Sequence, residues 1–225
     1  MWLVTDSAGD ECLPWLPQRI FCIGRNYADH AREMGHDPER EPPFFFTKPL
    51  SSLCPAEGNW QLPDFSKQVE HEVELVLGLK VPPQQGRHVS AEDAKGWIAA
   101  AGLGIDMTCR DLQREAKREG RPWDIAKGFD AAAPLTPLLT LDYAQLNTLG
   151  SMHLAVNGSL RQAGHWQDML WPPGELIAHI SRYFALQTGD LIFTGTPAGV
   201  GPLKTGDHLT AHLDGLPHRV DLRIC

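Results

Sequence analysis

The stretch Val69-Glu70-His71-Glu72-Val73-Glu74-Leu75-Val76-Leu77 constrains this chain more than any other. Its valines favour extended backbone, and side chains on a strand alternate between two faces. Read as one strand, it puts Glu70, Glu72 and Glu74 on one side and a core-like row, His71, Val73, Leu75 and Leu77, on the other. Carboxylates two residues apart on a strand lie about 6.5 Å apart and repel when partly buried. A hard cation such as Mg²⁺ removes that objection, because it takes oxygen ligands. An alternating acidic face is equally that of a solvated strand. A helix would bring Glu70 and Glu74 together and leave Glu72 apart, but the valines and the flanking Pro63, Pro82 and Pro83 oppose it.

Eighteen prolines and 21 glycines in 225 residues cut the rest into short elements, a pattern of strands and turns rather than a helical bundle. Residues 1–18 read as a short N-terminal extension and 19–225 as one domain. Strands are expected over 19–23, 44–46, 99–105 and 190–194, and helices over 26–34, 91–97, 108–119 and 173–186. Thr108 is the expected N-cap of the third helix, and Gly120 its stop. Leu154 to Val156 followed by Asn157-Gly158 signals a hairpin, and Thr205-Gly206-Asp207 and Asp214-Gly215 signal turns.

Several classes of function are disfavoured. A net charge of -8 argues against a nucleic-acid partner. Five dispersed cysteines without a CxxC pair suggest reduced thiols and a cytoplasmic protein. The acidic N-terminus (Asp6, Asp10, Glu11) resembles neither a signal nor a transit peptide, and no apolar run is long enough for a membrane helix.

Five groupings suggest chemistry. Asp106 ends an apolar strand, where it either caps the next helix or adds a third oxygen ligand to a Mg²⁺ or Mn²⁺ site. His30 and Glu33 share a helix face, where a carboxylate makes an imidazole a better general base; an ordinary exposed pair looks the same. The neighbouring Gly24 and the charged, proline-rich 36–43 loop suggest a segment that moves as a lid. Arg110 and Gln113 share another helix face, placed either to hold a substrate anion or to meet solvent. Lys127, and less sharply Lys48, are cations among apolar neighbours, suited to binding an anion. The glycine-rich loop 193–201 lacks Walker A and dinucleotide spacing, but its threonines could hold a carboxylate. His153, His165, His179, His208, His212 and His218 show no ligand spacing.

Taken together, Gly24-Arg25-Asn26-Tyr27-Ala28-Asp29-His30, Phe46-Thr47-Lys48-Pro49, His71-Glu72-Val73-Glu74-Leu75, Asp106 through Gln113, Ala126-Lys127-Gly128-Phe129, Val156-Asn157-Gly158 and Thr194 through Pro202 resemble the fumarylacetoacetate hydrolase superfamily. The likeness runs from about residue 17 to residue 224 and is greatest to its short acylpyruvase and oxaloacetate tautomerase-like members. It implies an α+β, mainly β fold, a mixed β-sandwich roll with short peripheral helices, and usually a homodimer. It implies Glu72, Glu74 and Asp106 as ligands of Mg²⁺ or Mn²⁺, and leaves Glu70 outside that set. It implies His30 and Glu33 as the base dyad, Lys127 as the active-site lysine, and Arg25, Lys48, Arg110, Gln113 and Thr196 as substrate-binding positions.

The expected activity is hydrolysis of a C–C bond in an acylpyruvate, a small anionic 2-oxo acid, through a metal-chelated enolate. Oxaloacetate tautomerisation or decarboxylation and 2-hydroxy-dienedioate isomerisation need the same enolate. A metal-binding module with a decayed site is the non-enzymatic alternative.

Overall fold

Along the Ser151–Val156 strand, Met152, Leu154 and Val156 are buried while Ser151, His153 and Ala155 are not. The His208–Leu213 strand alternates in the same way. These half-buried strands belong to a five-stranded sheet ordered 159–165, 151–156, 208–213, 220–224, 57–60. Its inner face packs in one cluster with Val73, Leu75, Leu77 and Leu103 of a ten-stranded sheet. Burying each such leucine contributes about 1.5–3 kcal/mol. The larger sheet has Val73–Leu79 at its centre, between Ile98–Ile105 and Leu191–Phe193. Ile20–Gly24 pairs parallel to Leu191–Phe193, and Phe44–Lys48 pairs antiparallel to Ile20–Gly24. Its other face is covered by a second cluster built on Cys22, Val76, Leu135, Leu138 and Phe193. The computed structural model describes residues 2–5, 11–33, 35 and 42–225. It shows the expected mixed β-sandwich with few helices, and the chain is mainly β.

The acidic segment departs from a single strand. Val69–His71 and Val73–Leu79 are separate strands, divided at Glu72 and belonging to different sheets. Val69–His71 turns away to pair with Thr108–Cys109 and Gly201–Pro202. At the break, the Glu72 carbonyl accepts the Asp106 backbone N–H at 2.8 Å. Val73–Leu79 is buried on both faces, because the glycines of the next strand admit large neighbours. A Cβ on Gly104 would lie 2.5 Å from the Phe193 ring and 2.7 Å from Val76.

The helices are shorter than expected. The first spans Ala28–Glu33, since the Asn26 side chain is committed to the carbonyls of Trp171 and Thr194. The second spans Ala91–Lys95, capped by Ser90. The third begins at Arg110, not Thr108, and Thr108 is not its cap: its hydroxyl donates to the Asp106 carbonyl. Gly120 ends that helix in the left-handed conformation, as expected. The last helix stops at Ser181, and Leu186 already donates to the Gly86 carbonyl. Asn157 and Gly158, at φ 52° and 75°, form the hairpin turn between residues 156 and 159. Residues 36–41, most of the loop expected to work with the lid, lie outside the described residues. The four described cysteine side chains are free thiols. Among the described residues, no helix is long and apolar enough to cross a membrane.

Candidate metal and active site

The break at Glu72 brings four carboxylates to one end of the sandwich core. Glu70, Glu72, Glu74 and Asp106 are 8%, 5%, 1% and 1% exposed, so the acidic face is not a solvated one. Ligand atoms of Glu72, Glu74 and Asp106 lie within 4.8 Å of one another. Such a cluster requires cations, and three are buried beside it. Arg110 reaches Glu70 through Nε at 2.6 Å and Glu72 through Nη2 at 2.5 Å. Lys127 Nζ bridges Glu72 Oε2 at 2.7 Å and Asp106 Oδ2 at 2.6 Å. Lys48 Nζ lies 2.8 Å from Asp106 Oδ1. Glu70 is thus the residue that aims Arg110, a role its position outside the ligand pattern did not reveal.

These neighbours push the two glutamates apart in acidity. Burial alone would raise Glu72, but the charges of Lys127, Arg110 and His30 outweigh it and hold the carboxyl below the usual range. Glu74 is raised well above that range, by burial and then by the charges of Asp106 and Glu72, against one hydrogen bond from the Gly195 N–H. The three buried cations contact Glu70, Glu72 and Asp106, while Glu74 has only the Gly195 N–H and is the surplus acid.

Lys48 was expected to bind substrate, but it does not line the cavity. Its ammonium donates to the backbone carbonyls of Met107, Lys127 and Ala132. An ammonium has three donors, so Asp106 Oδ1 feels the charge of Lys48 without receiving a hydrogen bond. Asp106 also does not cap the following helix.

This orphaned buried oxygen tests whether a divalent cation fits. Asp106 Oδ1 receives no hydrogen bond, and burial beside two other carboxylates makes Glu74 too weak an acid to ionise readily without a further positive charge. A hard cation answers both needs. Three carboxylates suit Mg²⁺ or Mn²⁺ and leave coordination positions for substrate oxygens.

Above the carboxylates opens a cavity of about 380 Å³. Arg25, His30, Glu72, Glu74, Asp106, Arg110, Gln113, Lys127 and Thr196 all line it, which brings together nine of the eleven residues singled out from sequence. Glu33 stands just behind: its Oε2 lies 3.4 Å from His30 Nδ1, and its carboxylate accepts the Gly199 N–H at 3.1–3.2 Å. Gln113 Oε1 accepts from Arg110 at 2.6 Å, which turns the amide donors the other way.

Lys117, Trp123, Phe44 and Phe46 also line the cavity and escaped the sequence reading. Lys117 follows Arg110 and Gln113 at i+7 and i+4, a stripe on one helix face that could have flagged it. Burial and the nearby Arg110 and Arg25 charges depress its pKa, so this end of the cavity is strongly cationic. Gln162 was also missed. It is buried and lies on the other sheet, and its amide donates to Thr196 Oγ1 and the Pro197 carbonyl, each at 2.8 Å. Its oxygen accepts from the Val73 N–H at 3.1 Å and from His71 Nδ1 at 2.9 Å. Thr196 in turn donates to the Val73 carbonyl at 2.8 Å, so its hydroxyl is fixed at both ends.

Residues 19–220 match the family model described as fumarylacetoacetate (FAA) hydrolase C-terminal. An oxaloacetate tautomerase of Escherichia coli is 38% identical over 209 residues, covering 92% of each chain. The structure of a fumarylpyruvate hydrolase from Pseudomonas aeruginosa, in complex with Mn²⁺ and pyruvate, superposes with a TM-score of 0.89 at 37% identity, covering 99% of this chain and 94% of that one. A 5-carboxymethyl-2-hydroxymuconate delta-isomerase from Mycobacterium smegmatis superposes at 0.80 with 32% identity, covering 94% and 80%.

Proposed function

The chain belongs to the fumarylacetoacetate hydrolase family, and from that premise we propose that it hydrolyses the C–C bond of acylpyruvates. The observation that carries this reading is the convergence of Glu72, Glu74 and Asp106 with the His30–Glu33 pair on one cationic cavity. Held by those three carboxylates, Mg²⁺ or Mn²⁺ would supply a Lewis acid for the 2-oxo group and charge neutralisation for its enolate. Thr196, whose hydroxyl is held between Gln162 and Val73, marks the end of the cavity that receives the substrate carboxylate. The Nδ1–H of His30 donates to Glu33, which leaves Nε2 free to take a proton from water. That water adds to the distal carbonyl, the C–C bond breaks, and a carboxylic acid and the enolate of pyruvate result; proton return to the enolate gives pyruvate. The amide of Gln113 donates to the oxyanion formed by water addition. Two N–H bonds of Lys127 are committed to Glu72 and Asp106, and the third faces the cavity and the enolate.

Tautomerisation of oxaloacetate is the second reading, favoured by the Escherichia coli relative. It uses the same enolate and no attacking water. Decarboxylation and dienedioate isomerisation share that logic. The decayed-module alternative loses ground, because His30, Glu33, Glu72, Glu74, Asp106 and Lys127 are all present and lie at or beside one cavity. The choice between Mg²⁺ and Mn²⁺ and a homodimer belong to the same proposal and rest on family resemblance; a cytoplasmic location belongs to it too and rests on the dispersed cysteines. The test is a side-by-side assay with acetylpyruvate, fumarylpyruvate and enol-oxaloacetate, with and without EDTA. Metal-dependent release of pyruvate supports hydrolysis. Ketonisation of oxaloacetate without any pyruvate from the two acylpyruvates would replace it with the tautomerase reading.

A further inference from the structure

On the outer face of the five-stranded sheet, His153 and His212 stand directly opposite one another on antiparallel strands. Their rings stack, with centroids 4.8 Å apart and 22° between planes. Both imidazoles turn Nε2 toward one carboxylate: His153 lies 3.8 Å from Asp214 Oδ2 and His212 lies 3.7 Å from Asp214 Oδ1. These separations exceed a hydrogen bond, so the three side chains surround a common point without bonding one another. His208, on the same face, shows the ordinary alternative: its Nε2 sits 2.8 Å from Asp221 Oδ1, in contact.

We propose that His153, His212 and Asp214 form a second divalent-metal site, separate from the carboxylate cluster and suited to Zn²⁺. Two imidazole nitrogens and one carboxylate oxygen make a borderline donor set, unlike the all-oxygen set of Glu72, Glu74 and Asp106. The three ligand atoms already lie within 4.8 Å of one another. In a tetrahedral zinc site, donors bonded at about 2.0–2.1 Å lie roughly 3.3–3.4 Å apart. The two nitrogens approach different oxygens of Asp214, so sharing one ion requires the stacked imidazole rings to tilt toward a common point.

Backbone hydrogen bonds hold the Asp214 main chain beside the two histidines. Asp214 donates from its N–H to the Ser151 carbonyl at 3.0 Å and accepts the Gly150 N–H at 2.9 Å. Gly150 leaves room for it: a Cβ there would lie 2.8 Å from Asp214 Cβ and 3.2 Å from Oδ2. The His153, His212 and Asp214 side chains are 33%, 40% and 57% exposed, so the site is open to solvent metal and to a water as fourth ligand. No local spacing announces it, because strand pairing joins positions 59 residues apart.

The test uses tag-free protein saturated with Mg²⁺ and titrated with Co²⁺ as the spectroscopic probe, then with Zn²⁺ in competition. The expected result is one equivalent of Co²⁺ with the intense visible bands of tetrahedral coordination, displaced by Zn²⁺. The double variant His153→Ala/His212→Ala should lose those bands and at least tenfold in Zn²⁺ affinity, with its metal-free melting temperature and Mg²⁺-supported activity unchanged. Asp214→Asn should weaken binding several-fold, and His208→Ala should not alter it. Weak octahedral bands alone in the parent protein, or bands that survive in the double variant, would overturn the proposal.

Discussion

Replacing Lys127 by methionine keeps the length of the side chain and removes one buried charge. The parent ammonium lies 2.7 Å from Glu72 and 2.6 Å from Asp106, with side-chain exposures of 4%, 7% and 2%. Removing one partner from a buried ion pair costs about 3–5 kcal/mol, because the other charge is left without compensation. For a chain of this size, 1 kcal/mol shifts the melting temperature by roughly 2–4 °C, so Lys127→Met should melt about 6–20 °C lower in EDTA. The sign of its pH dependence follows from Glu72, whose pKa is depressed in the fold. A depressed acid stabilises above its unfolded pKa, here near 4.5, and loses that contribution as pH falls. The gap between variant and parent should therefore be full at neutral pH, persist down to about pH 4.5 and narrow only below it. A divalent cation supplies the missing positive charge, so Mg²⁺ should raise the variant's melting temperature more than the parent's. The assay is calorimetry of both proteins across pH, with and without Mg²⁺. A variant within a degree or two of the parent at neutral pH in EDTA would refute this reading, since only an exposed pair is worth about 0–1 kcal/mol.

Three other perturbations probe the surrounding shell. Gln162→Leu removes the donor to Thr196 and leaves several buried polar groups unpaired, each worth about 1–3 kcal/mol; urea denaturation should show the loss, and KM should rise more than kcat falls. Gly199→Ala places a Cβ 1.9 Å from the Arg161 carbonyl at φ +98°; the shift moves the Gly199 N–H from Glu33, so kcat should fall while Mg²⁺ affinity holds. Metal binding should ionise Glu74, whose pKa is raised, and release up to one proton per metal at neutral pH; calorimetric titration in two buffers of different ionisation enthalpy measures it, and no proton release would contradict the surplus-acid account.

The local patterns were the legible ones. Glu72 and Glu74 share a side even though the strand breaks at Glu72, so the period-two argument brought them together from too simple a geometry, and it did not separate them from Glu70. His30 with Glu33, and Arg110 with Gln113, each lie on one helix turn, where sequence spacing is spatial spacing. Lys117 continued the second stripe, but a lysine near a helix C-terminus also reads as a match to the helix dipole. What stayed hidden depends on distant pairing. Glu70 meets Arg110 across 40 residues, and His71 meets Gln162 across 91. Lys48 looked like a substrate-binding cation because its run of phenylalanines gave no hint of Asp106 and the three carbonyls it would meet. His153 and His212 become neighbours only once their strands pair.

The central claim, a metal held by carboxylates beneath a separate base, is tested most directly by His30→Ala. The account predicts that acylpyruvate turnover falls by about 10²–10⁴-fold, the usual worth of a general base, while Mg²⁺ or Mn²⁺ affinity measured by calorimetric titration stays within a few-fold of the parent protein. Turnover near the parent value, or metal affinity lost together with activity, would contradict it.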